Sequence, residues 1–222
     1  GLFDLACVLL VFVLGRRLYS ARVGLLGAAL YAFAVLPLQQ SHFYTVDTFG
    51  TFFALLTFYF AVRVAQGGEA GKRGGGWGTY VALGASLGAS LACRINLAPL
   101  AGIALLAAGI RAWDDFNRMH ADSRSGDGRL LSTLLQATLF RLLVMGLVTI
   151  AVFRVAQPYA FGGTNLLDFT FADKWRDNMR TIRLLIGGDA DYPPGHQWAN
   201  RTPFVFPFVN MVYWGLGLPL GI

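Results

Sequence analysis

Seven apolar runs, at residues 2–14, 23–38, 49–64, 81–93, 95–110, 130–156 and 204–222, dominate this chain and leave little of it for water. Charged residues make up only 14% of the 222, against about 25% in soluble domains. Apolar residues reach 55% and the mean hydropathy is +0.54. A helix needs about 20 apolar residues to cross a bilayer. Several runs are shorter, and most extend through tolerable flanks, but the pair meeting at Arg94 does not. The expected fold is therefore all-α and integral to the membrane: a polytopic helical bundle of about seven membrane segments, with one amphipathic helix at the outer interface. The expected organisation is a transmembrane region over 1–156 with about six segments, an extracytoplasmic loop over 157–203, and a further membrane helix starting at 204–222. A chain that opens on Gly1 and closes inside an apolar run reads as an internal fragment.

Orientation follows from the bases, because connections rich in Lys and Arg stay on the cytoplasmic side. Arg16, Arg17 and Arg22 join the first two runs; Arg63, Lys72 and Arg73 follow the third; Arg111, Arg118, Arg124 and Arg129 follow the fifth. With those connections inside, the stretch 39–48, the break at Arg94 and the segment 157–203 lie outside. The outer segment carries bases of its own, but long loops obey the rule weakly.

Two outer features carry chemistry. The polar stretch QQSHFYTVD at 39–47 ends on Asp47, where the next apolar run opens. An acid at the mouth of a membrane helix is costly without work or a partner, which marks a functional site. The competing reading is local, since carboxylates also favour helix N-termini. Gln39, His42 and Tyr44 would line the same site. On the other side, Arg94 with Asn96 separates two short runs and stands at the outer surface. It either snorkels to headgroups or faces inward as an anion clamp, its planar fork matched to phosphate oxygens. The spacing GASLG at 84–88, just before it, permits close helix packing.

In the outer segment, Phe171, Trp175, Met179, Ile182 and Ile186 recur at helical spacing, which predicts an amphipathic helix over 171–186 lying in the interface. Thr170 and Asp173 are spaced as a capping-box variant and Gly187 offers a stop. The Arg180–Arg183 edge is a candidate phosphate contact. Residues 188–203, with paired prolines and glycines, form an ordered loop in which His196, Trp198 and Arg201 are candidates for contacting a sugar or peptide; Trp198 equally suits an interfacial anchor. Asn200–Thr202 fits the glycosylation sequon, which is common by chance and here runs directly into Pro203.

Other patterns are excluded. Lys72 in the glycine-rich stretch 67–78 is followed by Arg73 and has no neighbouring strand, so it is a linker rather than a phosphate loop. The net charge of +6 is spread between membrane runs, which fits anionic membrane lipids and phosphates and not nucleic acid. Cys7 and Cys93 form no disulfide framework. Asp189 and Asp191, or Asp47 with His42, supply too few ligands alone for a metal site, so a divalent cation is a candidate cofactor only.

Four stretches in this order resemble the GT-C class of membrane glycosyltransferases, in particular the family 39, protein O-mannosyltransferase-like branch: LGRRLY at 14–19 with RVGLLGAAL at 22–30, PLQQSHFYTVD at 37–47, LGASLGASLACRIN at 83–96, and RTPF at 201–204 with WGLGLPLG at 214–221. The resemblance implies transfer of a sugar from a polyprenyl-phosphate carrier to a protein or lipid acceptor at the outer face, in a bacterial plasma membrane. By match of position, Asp47 is the outer acidic residue near phosphate and acceptor, and Arg94 pairs with the carrier phosphate. The principal acid of the family lies in an earlier outer loop, which would precede Gly1. The alternatives are a noncatalytic subunit of a membrane complex and, further off, a secondary transporter.

Overall fold

A computed structural model of the chain describes residues 1–43, 45–67, 76–122, 128–163, 165–187 and 200–221. The described residues are almost entirely helical: α1 (Leu2–Leu18), α2 (Ala21–Phe33), α3 (Val35–Phe43), α4 (Val46–Gln66), α5 (Trp77–Cys93), α6 (Leu100–Asp122), α7 (Gly128–Ala156), α8 (Asp173–Gly187), α9 (Val205–Asn210) and α10 (Leu218–Gly221). The extended pairing among them is a single bridge between Phe161 and Phe171. The all-α membrane fold is as expected. Three stretches, Val46–Gln66, Ile95–His120 and Leu131–Ala156, are long and apolar enough to cross a membrane, and α2 with α3 makes a fourth if the bent pair counts as one span.

That bent pair departs from the sequence reading. The apolar run 23–38 reads as one segment, but the chain turns by 54° at Ala34, whose backbone is extended. Pro37 falls in the first turn of α3, where a missing N–H costs nothing. As a result, Gln39, Ser41 and His42 are helical rather than part of a polar connection. The polar residues from Asp114 to Asp122 are likewise helical, because α6 continues through them.

Close contacts set the direction of each helix. Gly15 and Gly24 allow α1 and α2 to touch backbone to backbone; a Cβ on Gly15 would sit 2.7 Å from the Gly24 Cα. Phe3 packs on Phe49 and Phe52 at one end of α1 while Arg17 Nε donates to Gln66 Oε1 at 2.8 Å at the other, so α1 and α4 run parallel. α5 runs antiparallel to α4, with Thr57 and Ser90 hydroxyls 3.2 Å apart. Gly84 meets Met145 and Gly88 meets Thr149, which makes α5 and α7 parallel. The small-residue spacing at 84–88 is thus a helix contact, sealed by Thr149 Oγ1 donating to the Gly84 carbonyl at 3.1 Å.

Ala61, Val64, Tyr80, Leu83, Ala104, Ala107, Ala108 and Met145 fill the space between α4, α5, α6 and α7. Small residues dominate because apolar lipid gives no hydrophobic drive for helices to associate, and close backbone approach must supply it. The outer flank of α7, with Leu135, Leu139, Leu143 and Leu147 exposed, is left to lipid. These directions sort the polar residues into two ends. Arg16, Arg17, Arg22, Arg63, Arg111 and Arg118 gather at one; Asp4, Ser41, Asp47, Arg94 and the segment after Ala156 gather at the other.

Candidate functional site

Asp47 is the second residue of α4, directly after the extended N-cap Thr45 and Val46. Arg94 is the extended residue that closes α5 before the single turn Ile95–Leu97 leads into α6. Because α4 and α5 are antiparallel, the start of one and the end of the other coincide. Nη2 of Arg94 lies 2.7 Å from Oδ1 of Asp47. The two outer features read separately from the sequence are one ion pair.

The pair stands at the mouth of an open groove of about 340 Å³ between α4, the Ile95–Leu97 turn and the start of α6. Gly50, Ala54, Leu55 and Phe58 continue it along α4, with Leu97 and Leu100 opposite. From Asp47 to Phe58 is 11 residues, or about 16 Å of helix at 1.5 Å each. One end of the groove is therefore charged and the rest, Thr51 apart, is apolar as it follows α4 away from that end. The side chains of Arg94 and Asp47 are 48% and 34% exposed. Pairs this open contribute at most about 1 kcal/mol to stability, so holding the fold together is a weak reason for them.

The other candidates are placed as follows. His42 is exposed on α3, its Nδ1 2.9 Å from the Leu38 carbonyl oxygen. Gln39 is exposed on the same helix and Asn96 in the turn after Arg94, and none of the three lines the groove. Arg180 and Arg183 are exposed on α8, and Arg201 lies over the Phe206 ring at 5.0 Å. Tyr44, His196, Trp198, Asp189 and Asp191 fall outside the described residues. No group of three or more His, Cys, Asp or Glu gathers among the described residues. Among the described residues no second acid, histidine or cysteine joins Asp47 to complete a cation site.

One residue at the same end of the bundle as Asp47 left no signal in the sequence. Arg154, in the last turn of α7, is buried, and its guanidinium donates to three main-chain carbonyls: Asp168 at 3.1 Å, Gly163 at 3.0 Å and Asn165 at 2.6 Å. It also lies 4.6 Å from the Phe161 ring centre. Phe161, Phe171 and Trp175 stack in sequence at 5.3 and 4.9 Å. Two members of the expected interfacial stripe thus meet protein on one side. The expected cap is corrected too: α8 starts at Asp173, which pairs with Arg176, while Asp168 Oδ1 accepts from the Thr170 N–H at 2.9 Å.

The family model for dolichyl-phosphate-mannose-protein mannosyltransferases matches residues 2–121, more than half of the chain and the whole of the Asp47–Arg94 site. The chain belongs to this family. No curated protein and no solved structure matches it. The family is one of GT-C membrane glycosyltransferases that depend on a polyprenyl-phosphate sugar, and the apolar helices agree with an integral membrane protein.

Proposed function

We propose that the protein transfers a sugar from a polyprenyl-phosphate carrier to a hydroxyl of a protein acceptor at the extracytoplasmic face, with Asp47 and Arg94 at the reacting centre. The observation that carries this reading is the charged mouth on an apolar groove. A polyprenyl phosphate has a matching polarity, with an anionic head on a long apolar tail. The basic end of the bundle would face the cytoplasm under the positive-inside rule, which leaves the Asp47 end outside.

In this reaction the acceptor oxygen attacks the anomeric carbon, the bond from that carbon to the phosphate oxygen breaks with its electron pair, and the acceptor proton must leave. Arg94 spends one Nη on Asp47 and has further N–H donors in its fork for the departing phosphate. Such donors fixed in advance where negative charge develops are a large source of rate. Asp47 holds that guanidinium with one oxygen and offers a carboxylate beside it as the proton acceptor.

The test is transfer of radiolabel from a panel of polyprenyl-phosphate sugars in membranes holding the full protein. A fall of at least tenfold in Asp47→Asn or Arg94→Ala at matched expression supports the site. Full activity in both variants would discard it, and no transfer from any donor would turn the protein into a noncatalytic member of its family.

A further inference from the structure

Five arginines lie inside the three stretches long and apolar enough to cross a membrane: Arg63, Arg111, Arg118, Arg141 and Arg154. A charge inside a membrane helix needs a partner or a use. Arg111 has a carboxylate, its Nε donating to Asp115 Oδ2 at 3.0 Å and its Nη2 lying 2.8 Å from Oδ1. Arg154 has its three carbonyls. Arg63 and Arg118 stand within three residues of the end of their stretches, from where a long side chain reaches the headgroups. Arg141 is different. It lies ten residues from the nearer end of Leu131–Ala156, and no carboxylate among the described residues pairs with it. Its guanidinium carbon is 5.9 Å from the Tyr80 ring centre, and its Nε is buried with no hydrogen-bond partner. A charged donor left unsatisfied is costly, so this arginine lacks an acceptor.

We propose that Arg141 is an anion site at the basic end of the bundle and that its ligand is the phosphate of an anionic phospholipid. Helical side chains lean toward the helix N-terminus, and the parallel α5 and α7 both start at the basic end, so Arg141 and Tyr80 lean that way together. Tyr80 is only 1% exposed; it positions the guanidinium, while Arg141 itself is partly exposed. The charges of Arg141, Arg111 and Asp115 all act on the Tyr80 hydroxyl. Because Arg111 and Asp115 cancel, one positive charge is left, which a phosphodiester with one negative charge balances. The guanidinium fork matches two phosphate oxygens. The neighbours favour a lipid over a free anion. Trp77, three residues before Tyr80, and Phe140, next to Arg141, meet edge to face at 5.2 Å and are 46% and 57% exposed. Tryptophan is enriched at headgroup level. Leu139 and Leu143 continue the exposed flank of α7, where the acyl chains would lie. Basic pockets between helices on the cytoplasmic side of a membrane bind anionic headgroups, and the positive-inside rule puts this end there.

Native mass spectrometry of the full protein, stripped of lipid in detergent, tests this with dioleoylphosphatidylglycerol, dioleoylphosphatidylcholine and inorganic phosphate. One phosphatidylglycerol should bind at least tenfold more tightly than phosphatidylcholine. Arg141→Gln should weaken it at least tenfold, whereas Arg118→Gln at the same end and Arg94→Gln at the other should leave it within twofold. Where Arg141→Gln fails to fold, Arg141→Lys, which keeps the charge and loses the fork, should weaken it at least threefold. Equal binding of the two lipids, unchanged binding in the Arg141 variants, or an equal loss in Arg118→Gln would overturn the site. Loss in Arg94→Gln instead would place the lipid in the carrier groove. Displacement by inorganic phosphate, and not by chloride of equal ionic strength, would make the ligand a free anion. Either of these results overturns the proposal as well.

Discussion

Gly88 of α5 lies so close to Thr149 of α7 that a Cβ on the glycine would stand 2.5 Å from the Thr149 carbonyl oxygen. Gly84, one turn earlier, is in equal contact with the Met145 carbonyl and accepts a hydrogen bond from Thr149. The obstacle at both is main chain, which cannot rotate away. Gly84→Ala should therefore push α5 from α7 and lower stability by about 1–3 kcal/mol, as overpacking does. Gly102→Ala in α6, which meets open space, should not. Thermal unfolding in detergent compares the two, and an unchanged midpoint for Gly84→Ala would refute the contact.

The Asp47–Arg94 pair can be inverted. Asp47→Arg with Arg94→Asp keeps a salt bridge between α4 and α5, so a purely structural pair would tolerate the exchange. If the guanidinium must face the phosphate and the carboxylate the acceptor, the double variant folds and stays at least tenfold below wild type in transfer, a barrier higher by about 1.4 kcal/mol or more. Recovery to within threefold of wild type would make the pair a strut.

Both members of that pair could be found in the sequence because each is a charge at the edge of an apolar run, where burial has to be explained. Their meeting could not, since it depends on how α4 and α5 pack. Gly84 and Gly88 were readable by spacing alone. Arg154 was not: it looks like any base ending an apolar run, and its partners are carbonyls, which every residue has. The break at Ala34 was hidden because the apolar run passes through it, with Pro37 the one signal. Asp4, an acid within the apolar run 2–14, is a signal of the same kind as Asp47.

The groove makes its own prediction. Ala54→Trp fills its middle without touching the ion pair. The apparent KM for a long polyprenyl carrier should rise at least fivefold with kcat within twofold of wild type, the pattern of lost uniform binding. A carrier truncated to a few carbons should be indifferent. Equal effects on both carriers would place the tail elsewhere.

The turn after α7 should respond to acid through Asp168. Hydrogen bonds from Thr170 hold this carboxyl below the usual carboxylate range, with the Arg154 charge a smaller cause. A depressed carboxyl adds stability that is present above its unfolded pKa of about 3.9 and is lost as the pH falls through the lower folded value. The turn should be unchanged from pH 8 to 5 and loosen only below about pH 4. A fluorophore on Leu167→Cys, 81% exposed beside it, reports this when Cys7 and Cys93 are replaced. Asp168→Asn should remove the acid transition. Arg154→Lys should loosen the turn at every pH, because an ammonium has no fork to span three carbonyls, and hydrogen exchange at 161–171 should rise at least tenfold. A transition centred near pH 6 would assign the sensitivity to another group, and unchanged exchange in Arg154→Lys would mean that the aromatic stack holds the turn unaided.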